Sequence, residues 1–116
     1  MCLMAIKRKR KMVSKHYEDK RKQREKFIDE HFGDGYVVDE FIIDRGHPKG
    51  AERHCIMSNG IIVVYNLNSG KLCTKLIARP QQIKRYYENS GREPPLEYED
   101  ILRLAKEHNI LGYNEL

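Results

Sequence analysis

The dipeptide Asn59-Gly60 constrains this chain more than any other feature. It stands between R-H-C-I-M-S and I-I-V-V-Y-N, two runs rich in apolar and β-branched residues. Asn-Gly in such a setting is a strong hairpin signal, because both central residues of a type I′ turn take positive φ. Strands are therefore expected over Glu52–Ser58 and Ile61–Asn66. Asn68-Ser69-Gly70 turns the chain again into a fourth strand, Lys71–Ala78, and Tyr36–Asp44 supplies the first. Successive hairpins make an antiparallel meander.

Helical patterns flank the strands. Met12–Phe32 reads as a helix with Ser14 placed to cap it. Its apolar residues cluster at the ends (Met12, Val13, Tyr17, then Phe27, Ile28, Phe32), while D-K-R-K-Q-R-E-K in the centre is charged all round. Such a helix packs by its ends and leaves its middle to water or a partner. Pro80 suits the first turn of a helix through Tyr87. After N-S-G-R-E-P-P, an amphipathic helix follows over Glu97–His108, with Tyr98, Ile101, Leu102 and Ala105 on one face. The expected class is α+β: an N-terminal helix, a four-stranded antiparallel meander and two C-terminal helices. At 116 residues the chain has room for one core, so a single domain over 12–116 is expected behind a disordered basic arm over 1–11.

No run approaches the roughly 18–20 apolar residues of a membrane span, so no membrane partner is expected. The start M-C-L-M-A-I-K-R-K-R-K-M puts apolar residues before charge and does not read as a secretory signal. Cys2, Cys55 and Cys73 are odd in number and lack a C-x-x-C pair, which fits a reducing, cytoplasmic setting. The charge is lopsided. Residues 1–32 hold 11 Lys/Arg against 5 Asp/Glu, and the remainder holds 11 against 12. A basic segment of this density, including Lys7, Arg8, Lys9, Arg10 and Lys11, is an electrostatic footprint for nucleic acid.

The loop R-G-H-P-K-G-A-E-R-H, residues 45–54, carries the candidate chemistry. A two-residue turn at Asn59-Gly60 would set Ser58 opposite Ile61 and His54 opposite Tyr65, with Cβ atoms ~5 Å apart on a shared face. The following hairpin is open to two registers. One adds Thr74 to that face, and the other adds Cys73 and Lys75. A histidine, a tyrosine and a hydroxyl or ammonium suit RNA cleavage without a metal. The 2′-OH is the nucleophile, a base takes its proton, cations steady the phosphate and an acid protonates the leaving 5′-oxygen. His54 is the expected base and His47 the acid, because imidazole titrates near neutrality. Lys75, Arg79, Lys84 and Arg85 would contact phosphate, while Arg45, Lys49 and Arg53 raise the local positive potential. A zinc site from His47, His54, Cys55 and Cys73 lacks paired-ligand spacing, and no cofactor motif is present.

The order of elements, with His47–His54 followed by G-I-I-V-V-Y-N and K-L-C-T-K-L-I-A-R-P, resembles the barnase/EndoU/colicin/RelE group of small metal-independent ribonucleases. The likeness covers roughly residues 12–88. It implies a toxin-like or phage and mobile-element endoribonuclease acting on RNA, with an inhibitor protein as a further partner. Carried over, His54 and His47 match the group's histidines, Tyr65 and Thr74 its polar sheet residues, and Arg79 its cation. The alternative class is a nucleic-acid-binding phage accessory or inhibitor protein without enzymatic activity.

Overall fold

The computed structural model describes residues 18–110. The basic arm, the expected helix start at Met12 and the last six residues lie outside the described residues. Helix α1 (18–31) leads into strands β1 (Val37–Asp44), β2 (Ala51–Met57), β3 (Ile61–Asn66) and β4 (Leu72–Ile77), then helices α2 (Pro80–Ser90) and α3 (Tyr98–Ile110). The strands pair antiparallel in the order β1-β2-β3-β4. This is the α+β meander expected from the sequence.

The sheet is covered on both faces, which explains why β3 reads I-I-V-V without alternation. On one face Phe41, Ile56, Ile62 and Val64 pack with Ala78, Ile83, Tyr87, Ile101 and Ala105 from the α2–α3 side. On the other, Ile28 of α1 packs with Cys55, Ile61, Val63 and Ile77. Ile56, Ile61, Ile62, Ile83 and Ile101 are the largest fully buried side chains. Each contributes about 1.5–3 kcal/mol of hydrophobic stabilisation. Helix α2 ends where Gly91 takes φ 70° and donates its N–H to Tyr87 O at 2.9 Å, a left-handed stop that glycine adopts without steric cost.

The register between β2 and β3 differs from the expected one. His54 pairs with Val64, and Tyr65 pairs with Arg53. The loop holds three residues, Ser58, Asn59 and Gly60, closed by Gly60 N–H donating to Met57 O at 3.0 Å. Only Gly60 takes positive φ here, at 85°, and no non-glycine residue among the described residues does, so the turn is not type I′. Tertiary contacts account for this. The Asn59 side chain donates to Gly33 O at 3.1 Å, and Asn59 O accepts from His108 Nε2 at 2.7 Å. A Cβ on Gly60 would stand 3.1 Å from Ala105 N. Helix α3 is seated on the turn, and only a loop with glycine at its last position admits it.

A one-residue slip exchanges the faces of a strand, so His54 and Tyr65 point to opposite sides of the sheet. At the next hairpin Tyr65 pairs with Leu72, and an irregularity then brings Val64 opposite Thr74 and Val63 opposite Lys75. Thr74 therefore shares the face of His54, and Lys75 shares the face of Tyr65.

Candidate functional site

His54 sits in the middle of β2, 3% exposed, beneath α2. Glu52 lies two residues earlier and so projects from the same face. Glu52 Oε1 is 3.1 Å from His54 Nε2 and also accepts from Arg45 Nε at 2.9 Å. On its other side His54 Nδ1 lies 2.6 Å from Tyr86 Oη. Four side chains from a loop, a strand and a helix thus form one chain: Arg45, Glu52, His54, Tyr86.

The charges in this chain constrain the direction of its hydrogen bonds. Burial pushes the Glu52 carboxyl up, but the hydrogen bonds from Arg45 and His54 and the Arg45 charge outweigh it and hold the pKa below the ordinary value. Glu52 is an acceptor. Burial raises the Tyr86 phenol, an effect that Arg45 opposes and Glu52 reinforces, so Tyr86 keeps its proton. With the imidazole neutral, the phenol donates to Nδ1 and Nε2–H donates to Glu52. A carboxylate that orients an imidazole, which in turn faces a hydroxyl, is the geometry by which a hydroxyl is made ready to exchange a proton.

Tyr86 and His54 line a cavity of about 590 Å³ between β1 and α2. Gln82, Tyr86 and Asn89 reach it from α2 at spacings of four and three residues, one helical face. Arg45, Arg85 and Arg92 also line it. Arg92 is held firmly: it stacks 4.1 Å from the Phe41 ring centroid, pairs with Asp39 at 2.8 Å and donates to Glu40 O. Tyr87 Oη donates to the same Asp39 at 3.0 Å, and burial, with Asp39 second, pushes its phenol well up.

The other residues expected at a site are dispersed. His47 and Lys49 are exposed on the loop between β1 and β2. Tyr65 and Arg53 border a shallow hollow of about 110 Å³ on the opposite face, and Arg53 pairs with Glu40 at 3.8 Å. Lys75 Nζ is 2.7 Å from Asp29 on α1, and that hydrogen bond, against the cost of burial, raises its pKa. Thr74 Oγ1 accepts from Arg24 Nη2 at 2.8 Å. Arg79 precedes α2 and borders a second cavity, while Lys84 is exposed on α2. The expected cluster of His54 with Tyr65 and either Thr74 or Lys75 is therefore not assembled, although Thr74 shares the face of His54. Among the described residues, no group of three or more His, Cys, Asp or Glu is arranged to hold a metal ion.

Sequence reasoning missed Glu52, Tyr86 and Arg92. Glu52 was visible as the i−2 neighbour of His54 on a strand. Tyr86 and Arg92 carry no local signal: the packing of α2 brings Tyr86 to His54, and Phe41 and Asp39 of β1 hold Arg92 at the cavity. No helix of the described residues is long and apolar enough to cross a membrane. Comparison with protein-family models, with curated proteins and with solved structures finds no match to the chain.

Proposed function

We propose that this protein is a small metal-independent endoribonuclease, acting on RNA in the reducing cytoplasm that suits its free thiols. The observation that carries this reading is the Glu52–His54–Tyr86 chain opening onto an arginine-lined cavity. In the reaction the RNA 2′-oxygen bonds to phosphorus and the bond from phosphorus to the 5′-oxygen breaks. The 2′-OH proton passes to Tyr86 Oη as the phenol proton passes to His54 Nδ1, and Glu52 stabilises the resulting imidazolium. Arg85, Arg45 and Arg92 face the phosphate as its charge develops. The leaving 5′-oxygen takes its proton from solvent, since His47, exposed on the loop after β1, does not line this cavity. Tyr65 and Lys75 have no part in this scheme, because they lie on the other face of the sheet.

One observation favours the second reading, a nucleic-acid-binding protein without catalysis. Both ring nitrogens of His54 are already bonded within the protein and the side chain is nearly inaccessible. In that case the chain of hydrogen bonds only braces α2 against the sheet. Incubation with total RNA under chelation, followed by end-group analysis, separates the two. The nuclease leaves 2′,3′-cyclic phosphates, and the binding protein leaves RNA intact.

A further inference from the structure

The arginines of this fold divide by partner. Arg45, Arg53, Arg92 and Arg103 each pair with a carboxylate. Among the described residues, Arg21, Arg24, Arg79 and Arg85 make no ion pair, and Arg21 donates to Cys73 O at 3.0 Å. Arg24 is nonetheless fixed in place. It reaches from α1 to the edge strand β4, where its Nε donates to Lys75 O at 3.0 Å and its Nη2 to Thr74 Oγ1 at 2.8 Å. These acceptors are neutral, so the guanidinium charge is not offset by them, and its ordering cost has been met in the fold rather than at binding.

Arg24 and Arg79 border a cavity of about 210 Å³ with Leu76, Ile77 and Gln82. Gln82 also lines the larger cavity that holds Tyr86. The two cavities are neighbours across one side chain. The larger has the dimensions of a small-molecule site, within the ~300–1,000 Å³ such pockets span. The smaller is a niche with two guanidinium groups, whose planar donor fork matches phosphate. A lone nucleotide in the larger cavity would leave the niche unanswered. A continuing strand would fill both.

We propose that the Arg24–Arg79 niche is a second phosphate subsite, taking a backbone phosphate of single-stranded RNA whose neighbouring nucleotide occupies the cavity at Tyr86. The inference rests on the ribonuclease reading only in assigning RNA to the larger cavity. It makes the substrate a chain rather than a mononucleotide or dinucleotide.

The test uses the full chain, a fluorescent ten-nucleotide 2′-O-methyl RNA, which cannot be cut, and the matching dinucleotide. Anisotropy titrations over a salt series compare the wild type with Arg79→Gln and with Arg24→Gln/Arg79→Gln. Arg79 is exposed, so its single substitution leaves the fold standing if Arg24→Gln disturbs β4. The expected result for Arg79→Gln is an affinity for the longer RNA lower by about threefold and a log–log salt slope shallower by about 0.7, one phosphate contact. Dinucleotide affinity should be unchanged. An unchanged slope with the longer RNA, or equal losses for both ligands, overturns the subsite. Cleavage of unmodified RNA by the wild type is scored separately. Binding with an Arg79-dependent slope but no cleavage upholds the subsite and removes the nuclease reading, whereas cleavage with an unchanged slope removes only the subsite.

Discussion

Glu52 and His54 stand two positions apart on one strand, and that spacing alone puts them on a common face. The sequence displays this pair as openly as it displays His54 itself. Tyr86 is different, since 32 residues separate it from His54 and the docking of α2 joins them. Two outcomes follow at this scale. His54→Ala would take from the half-buried Tyr86 hydroxyl and Glu52 their shared partner, at a cost of about 1–3 kcal/mol, measurable by urea denaturation. His54→Gln, which keeps polar groups in place, should cost less. The second outcome concerns pH. The Glu52 carboxyl titrates below its ordinary value of 4.5. Its contribution is therefore fully present above the unfolded-state value and is lost as pH falls through the lower folded-state value. Glu52→Gln should flatten the acid limb of the stability profile below about 4.5. A variant with the wild-type acid limb would show that Glu52 gains nothing from Arg45 and His54.

Element by element, the strands and the last two helices were legible because each has a local cause: β-branched runs, turn residues and a 3.6-residue apolar stripe. Register was not legible. The choice between a two- and a three-residue loop at Asn59-Gly60 depends on His108 and Ala105 of α3 and on the end of α1, more than 20 residues away in either direction. That single residue decides which face His54 occupies, and so which side chains can act with it. Gly60→Ala tests the account of the turn. The added methyl group meets both a φ of 85° and the α3 backbone at 3.1 Å, so a loss of about 1–3 kcal/mol is expected, read as a lower melting temperature. Wild-type melting would mean that α3 does not rest on the turn.

At the scale of the whole molecule, the fold joins two sources of positive charge that the sequence keeps apart. Arg24 of α1 and Arg79, just before α2, border one cavity at the edge of β4, although 55 residues separate them in the sequence. Deleting residues 1–11, which hold five consecutive Lys/Arg from Lys7 to Lys11, should flatten the salt dependence of RNA binding, because fewer counterions are released. Cleavage at low salt should survive that deletion if the Tyr86 cavity is the site of reaction. The central claim is that Tyr86 passes the 2′-OH proton to His54. It is tested most directly by single-turnover cleavage of one defined RNA, with protein in excess and a chelator present, comparing the wild type with Tyr86→Phe. The account predicts that the wild type releases products with 2′,3′-cyclic phosphate ends, and that Tyr86→Phe binds the RNA equally well but cuts about 10²–10⁴-fold more slowly. RNA left intact by the wild type, or cut at the same rate by Tyr86→Phe, would contradict it.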